Sequence, residues 1–405
     1  MTAIRTEGLY KVFGRRPAEA VRQLRAGASR DEVKALGTAA VIDVDLEVNE
    51  GETFVVMGLS GSGKSTLIRM LNGLWRPNGG RVTVGGTDLS AISDRELREL
   101  RQKRVSMVFQ HFALLPHRSI LENAAYPLAL QDVGKAEQRR RAGEALDLVG
   151  LTGWDDHLPV ELSGGMRQRV GLARALAAGT DILLMAEAFS ALDPMIRREM
   201  QDQLVVLQQT LGKTIVFITH DLNEAMRLGD RVAVMRDGRI VQVGTSDQIL
   251  SEPANDYVAQ FVADVDRTRV LTARSVMVRP PAVVTTGAGP RLALREMREA
   301  NTSAAYLGDR DRTLRGVLRD EDVLAAQRAG RDSLVDLTRD EVPAVPEDAL
   351  LMDLFAPSAE TTLPVPVVDE RGRLVGVIPR VTLLEAMTPN GNGSESAGTT
   401  TGRPA

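Results

Sequence analysis

The sequence predicts an α/β fold built around a largely parallel sheet over about residues 1–262, followed by a smaller α+β region over 263–387 and a tail at 388–405. Three observations lead there. Short apolar runs alternate with helical patterns from Thr2 to Val262. A glycine-rich turn, GLSGSGKST (58–66), joins one of those runs to a helix. After Phe261, where Pro280, Pro281, Gly287, Gly289 and Pro290 mark loops, the chain repeats itself.

Composition bounds the function before any motif is read. A chain of 405 residues is long enough for two or three domains. Hydrophobic residues at 43% and charged residues at 26% are the balance of a soluble globular protein. There is no cysteine, which excludes disulfides, thiolate metal sites and cysteine nucleophiles. Fifty Lys and Arg face 54 Asp and Glu, for a formal net charge of -4, so no nucleic-acid partner is expected. No apolar run approaches the roughly 20 residues that cross a bilayer. The N-terminus MTAIRTEGLYKVF lacks the basic start and apolar core of a signal peptide, so the chain is expected in the cytosol unless a partner holds it elsewhere.

The elements follow in order. GETFVVMG (51–58), DILLMA (181–186) and TIVFIT (214–219) read as buried strands. Residues 15–40 interrupt the α/β alternation: RPAEAVRQLRAGASRDEVKALG carries Ala, Val and Leu at helical spacing and reads as one or two short amphipathic helices, either a surface decoration or a binding element. In the second region, 305–326 aligns without gaps on 365–386, pairing Asp309 with Asp369, Leu314 with Leu374, Gly316 with Gly376 and Leu324 with Leu384. That constant offset predicts a duplicated strand-turn-strand-helix unit. The tail, rich in Gly, Ser and Thr, reads as disordered.

GLSGSGKST follows the strand FVVM and precedes the helical LIRMLNGL, the context that the GxxxxGK(S/T) pattern requires. Gly58, Gly61 and Gly63 let successive amides point at phosphate oxygens, and the helix that follows adds its positive end. Lys64 supplies a cation to the β and γ phosphates, and Ser65 is placed to bind magnesium. Ser60, Ser62 and Thr66 complete the loop. On its own this pattern says nucleoside triphosphate binding and leaves the use of the energy open.

Further motifs narrow it. LSGGMRQR (162–169), DILLMAEAFSALDP (181–194) and Thr219-His220 follow in an order and spacing that resemble the ABC transporter nucleotide-binding subunit over about residues 1–262. The resemblance implies a P-loop NTPase of the ABC cassette type, with a RecA-like core, an antiparallel β subdomain and a helical subdomain. It implies ATP as ligand, Ser163, Gly164 and Gly165 as the signature loop, Gln110 of VFQHFALLP as the Q-loop, Ser190 to Asp193 as the D-loop and His220 as the H-loop. It further implies that two cassettes close head to tail, so that the signature of one copy completes the phosphate site of the other, with Asp193 also among the nucleotide-binding residues. Physically, a Ser hydroxyl, bare amides and a helix N-terminus suit a γ phosphate. Phe13 falls where the family stacks an aromatic on adenine, with Tyr10 as the competing candidate. Met166 stands where Gln is more usual.

Hydrolysis needs an in-line water, a carboxylate to orient or deprotonate it, and cations for the developing charge. The spacing to SALD matches Glu187 to the family's catalytic glutamate, with His220 and Gln110 beside it. The residue before Glu187, where the resemblance implies a magnesium-anchoring aspartate, is Ala186. A slip by one place that made Glu187 the anchor would turn its side chain to the other strand face. Magnesium is thus expected to depend on Ser65, Gln110 and the ATP oxygens, with hydrolysis reduced.

The long insertion after LYKVFG and the wording of MGLSGSGKSTLIRMLNGL and LSGGMRQRVGLARALA resemble the ATP-binding subunits of glycine betaine/L-proline (quaternary-amine) importers. There the duplicated C-terminal unit is a tandem CBS region, which either regulates or only dimerises and stabilises. The resemblance implies a membrane permease contacted through the Q-loop region near Gln110 to His117, an extracytoplasmic solute-binding protein reached indirectly, and a peripheral location on the cytoplasmic face of the membrane. A hydrolytically poor regulatory cassette is the alternative. A soluble ABC ATPase of translation or repair would carry tandem cassettes or long coiled-coil insertions, and a kinase or GTPase would have no role for the signature.

Overall fold

The computed structural model describes residues 1–387 except 111, 191, 264, 340 and 341; the tail read as disordered lies outside the described residues. The chain divides into two compact units, 1–262 and 263–405.

The first unit has two sheets. Strands β1 (Thr2–Phe13), β2 (Thr38–Asn49), β4 (Gly79–Val84) and β5 (Thr87–Asp88) form an antiparallel sheet in the order β2-β1-β4-β5. The central sheet runs β10-β9-β3-β8-β7-β6, from β3 (Thr53–Met57), β6 (Val105–Val108), β7 (Ile182–Ala186), β8 (Thr214–Thr219), β9 (Arg231–Arg236) and β10 (Arg239–Gly244). Its pairings are parallel except that of β9 with β10. Every residue of β3 and β8 is buried, which is why these strands read as unbroken apolar runs rather than alternating ones.

Helices complete the unit: α1 (Pro17–Arg25), α2 (Lys64–Leu71), α3 (Asp94–Arg104), α4 (Ile120–Leu130), α5 (Lys135–Leu148), α6 (Gly164–Ala177), α7 (Pro194–Leu211), α8 (Leu222–Leu228), α9 (Ser246–Ser251) and α10 (Asp256–Phe261). One core cluster joins the two sheets, with Ile4, Val41 and Val82 of the first and Phe54, Leu184 and Ile218 of the second. Helices α4, α5 and α6 pack on one another as a separate helical layer. The antiparallel sheet, the parallel core and this helical layer are the three parts that the resemblance implies.

The insertion departs from its sequence pattern. Only its first half is helical, as α1; RDEVKALG is a run of turns. Burial of Val33 and Leu36 against Tyr10, Val12 and Ile42 holds it instead.

In the second unit a short helix α11 (Ala273–Val276) leads into β11 (Val283–Thr285), α12 (Pro290–Glu299), β12 (Ala304–Gly308), β13 (Leu314–Arg319) and α13 (Asp320–Arg328). The copy comprises β14 (Val345–Pro346), α14 (Leu351–Glu360), β15 (Val365–Val368), β16 (Leu374–Ile378) and α15 (Arg380–Met387). Each half has one three-stranded sheet with a parallel then an antiparallel pairing. The predicted duplication is therefore a duplication of fold. The halves exchange backbone bonds: Val278 pairs with Val377, and Arg339 with Val317.

Candidate functional site

The site assembles where β3, β7 and β8, adjacent in the parallel sheet, end at their carboxyl tips, the edge at which such sheets bind ligands. The loop after β3 carries the phosphate motif. Gly58 and Gly63 have φ of 153° and 110°, and a Cβ would lie 2.1 Å from the Met235 carbonyl oxygen at Gly58 and 2.2 Å from that of Ala40 at Gly63. Only glycine permits that approach. The space around Gly61, at φ 79°, is open. Lys64 folds back so that its ammonium donates to the carbonyls of Gly58 (2.7 Å) and Leu59 (3.0 Å). Burial lowers its pKa while the Glu187 carboxylate raises it. Ser62 is 5% exposed and its hydroxyl has no partner. A buried orphan hydroxyl, a clear space over Gly61 and a cation without a carboxylate partner in contact together fit a phosphate-bearing ligand.

The loop after β7 carries the candidate catalytic carboxylate. Ala186 ends the strand, paired with Ile218, and its methyl packs on the apolar cluster of the central sheet. Glu187 leaves the strand at φ 47° with its N–H donating to the Ile218 carbonyl (3.0 Å). Glu187 therefore does not continue the alternation of β7, so the face argument from strand period does not apply at this residue. Its Oε2 lies 3.4 Å from His220 Nδ1 at the end of β8. Gln110, after β6, donates through Nε2 to Ser190 Oγ (3.2 Å), and that hydroxyl donates to the Glu187 carbonyl (2.9 Å). Residues 110, 187, 190 and 220, on three different segments, thus form one network beside Lys64.

Ser65 is exposed on the first turn of α2, and Thr66 next to it is half-buried; Ser60 is exposed at the loop crest. Apart from the Glu187 carboxylate, the oxygens on offer to a magnesium ion are the Ser65 hydroxyl and the Gln110 amide. Both are hard and neutral, and no group of three acidic or histidine side chains suits a metal among the described residues. That set fits an ion held mainly by its ligand's own oxygens.

Two expected groups are not brought to this network. Ser163 caps α6, its hydroxyl accepting from the Met166 N–H (3.3 Å) with Gly164 and Gly165 following on the first turn. Asp193 caps α7, accepting from the Ile196 N–H (3.0 Å). Among the described residues no hydrogen bond joins either cap to the phosphate loop. Of the two candidate aromatics, Tyr10 is 4% exposed and packed in the core under the insertion, whereas Phe13 is 38% exposed and forms a T-shaped pair with Trp75, centroids 4.8 Å apart. Each ring has a cation over it, Lys11 on Phe13 and Arg25 on Tyr10, both at 5.2 Å from the centroid, so exposure is what favours Phe13.

Sequence reasoning missed Arg174. Its guanidinium donates to the carbonyls of Ala113 (2.6 Å) and Phe112 (2.9 Å), two consecutive left-handed residues of the Q-loop segment. Burial lowers its pKa. A helical arginine three turns into α6 has no local signal for that task. It lines a cavity of about 350 Å³ with Arg101, Met107, Phe109, Tyr126 and Leu130.

The ABC transporter family profile matches residues 41–190, and the CBS domain profile matches 273–329 and 334–389. The chain is 48% identical over 398 residues to the glycine betaine transport ATP-binding protein of Bacillus subtilis, covering 98% of this chain and 95% of that one. It is 46% identical over 393 residues to the glycine betaine/proline betaine transport system ATP-binding protein of Escherichia coli, covering 95% and 97%. Among solved structures, a dimeric ATP-binding cassette in a post-hydrolysis state with ADP and Pi superposes with a TM-score of 0.52 at 31% identity, over 60% of this chain and 98% of that one. Identity of this order along both units places the chain in the ABC transporter family, among the ATP-binding subunits of glycine betaine transporters.

Proposed function

We propose that this ATPase subunit uses magnesium-dependent ATP binding and hydrolysis to drive import of glycine betaine, proline betaine, proline or a related osmoprotectant through a partner permease. The observation that carries the reading is the convergence of Lys64, Glu187 and His220 on neighbouring strand tips, in a chain alike along its length to betaine transport subunits.

Each residue has a task. The amides of Gly58 to Thr66 and the Lys64 ammonium hold the phosphates, and the partly exposed Phe13 ring stacks on the adenine. Glu187 accepts the proton of the attacking water, and His220, at its carboxylate, orients it and closes on the γ phosphate. Ser65 and Gln110 would hold magnesium, which when bound neutralises charge on the phosphate oxygens. Ser163, Gly164, Gly165 and Asp193, standing off their own phosphate loop, serve the loop of a second copy closing head to tail. The cavity beside Gln110 receives the permease, which holds the subunit at the cytoplasmic membrane face; a solute-binding protein acts on the other side.

Ala186 bears on the rate. With no oxygen on its side chain, metal positioning that is worth several kcal/mol of transition-state stabilisation rests on two neutral donors. The same feature favours a second reading, a cassette that binds ATP and turns it over poorly. Magnesium-dependent ATP turnover and betaine uptake by the chain reconstituted with its permease, beside Ala186→Asp, test both. Uptake with turnover at least tenfold below Ala186→Asp supports the first reading with a slowed step. Turnover equal to Ala186→Asp refutes the slowing, and binding with neither turnover nor uptake favours the second reading.

A further inference from the structure

The insertion at 15–36 leaves and rejoins the cassette at one point. Gly14 and Gly37 are so close that a Cβ on Gly14 would lie 2.5 Å from the Gly37 Cα. From that neck, α1 and the turns after it pack through Ala20, Val21, Leu24, Val33 and Leu36 on the antiparallel sheet. Arg30, in those turns, reaches over to the β9–β10 turn, where its Nη1 lies 3.0 Å from Asp237 Oδ1.

That turn is the outer wall of the phosphate loop. The Met235 carbonyl is what excludes a side chain at Gly58. Asp237 is held at φ 48°, and the next residue, Gly238, donates its N–H to the Ser62 carbonyl (2.9 Å) while accepting from the Ile42 N–H (2.8 Å). From the other side, the Arg236 guanidinium stacks 4.2 Å from the Tyr257 ring of α10. Arg30, Arg236, Tyr257 and Ser60 to Ser62 line one cavity of about 500 Å³.

We propose that Arg30 is a positioning residue for the phosphate loop, acting through Asp237 and Gly238 on the Ser62–Gly63 peptide. The peptide is planar and trans, so its carbonyl and N–H point in opposite directions. A hydrogen bond that draws the Ser62 oxygen outward onto Gly238 turns the Gly63 N–H inward, towards the phosphates. The insertion is thereby a brace for nucleotide affinity, a role distinct from a surface decoration. This rests on the reading of the loop as an ATP site.

The test is binding of a fluorescent ATP analogue to the full chain, with thermal melting alongside and steady-state turnover in the reconstituted transporter. The pair is partly exposed, Arg30 at 32% and Asp237 at 65%, so the effect is modest. Arg30→Ala weakens nucleotide binding roughly two- to fivefold, with kcat at saturating ATP and the melting temperature unchanged. Arg30→Lys recovers part of the loss. Asp237→Asn, which keeps a residue tolerant of positive φ, loses as much as Arg30→Ala, and the double variant loses no more than either. Unchanged affinity, losses that add, or a loss matched by a fall in melting temperature would overturn the proposal. A wild-type chain that fails to bind the analogue would instead defeat the ATP reading itself.

Discussion

The loops after β3 and β7 sit at neighbouring positions of one sheet edge, with β8 between them, yet they are built to different degrees of completeness. The loop after β3 has each part that phosphate binding needs: close-approach glycines, a folded-back Lys64 and a helix N-terminus. The loop after β7 keeps its carboxylate, Glu187, in contact with His220, but its strand ends in a methyl group packed on the core. On the function proposed above, the difference separates holding ATP from cleaving it. A binding loop works through backbone amides, which the right glycines leave open to a ligand. A catalytic tip needs particular side-chain atoms, and position 186 offers only a methyl group.

Substitutions in the two loops sharpen that contrast. Glu187→Gln should have the largest effect on cleavage, lowering kcat by roughly 100- to 1,000-fold while nucleotide affinity stays within twofold, since it removes the proton acceptor and leaves the amides. Lys64→Ala should act on the other side of the comparison, with nucleotide binding by the full chain falling roughly 100-fold. If Lys64→Ala spared binding, the first loop would not be the complete one. Ala186→Asp should raise kcat by roughly tenfold or more and steepen its dependence on magnesium at constant ATP affinity. An unchanged magnesium titration would mean that the second tip is not deficient.

Smaller effects test the surroundings. Phe13→Ala should raise KM for ATP by roughly three- to tenfold, about 1 kcal/mol of stacking, without lowering thermal stability. Tyr10→Ala should do the reverse, costing about 3 kcal/mol of stability, because its ring fills the core beneath the insertion. A pH effect comes from Glu224 on α8, which accepts hydrogen bonds from Thr219 and Gln201 and whose burial raises its pKa. A raised carboxyl pKa means the folded chain holds the proton more tightly than the unfolded chain does. That contribution is fully present below the ordinary carboxylate value and is lost as pH rises through the raised one. Glu224→Gln, neutral throughout, should therefore lose less melting temperature than wild type, by a few degrees, as pH is raised from the ordinary carboxylate range towards neutral.

Much of this was legible beforehand. The strands β3, β7 and β8 announced themselves as continuous apolar runs because both their faces are covered, and the glycine-rich loop because Gly58, Gly61, Gly63 and Lys64 fall in one short stretch between a strand and a helix. The repeat in the second unit was visible as a constant offset, and it proved a repeat of sheet topology. The turns of RDEVKALG were not visible, since local helical spacing there is overruled by the burial of Val33 and Leu36. Nor was the assignment between Tyr10 and Phe13, three residues apart in one strand, which turns on what covers each ring.

Alone, the sequence pointed to the family and to the positions on which the proposed site rests, because the glycine-rich loop, LSGG, Glu187 and Ala186 are defined by order and spacing along one chain. Tertiary structure decided which side chains act together. The contact of Glu187 with His220, the bond of Gln110 to Ser190, the hold of Arg174 on the Q-loop segment and the reach of Arg30 to Asp237 all join residues far apart in the chain. Local propensity carries no information about such partners, for they meet only when burial of the sheet and of the insertion brings their segments to one edge.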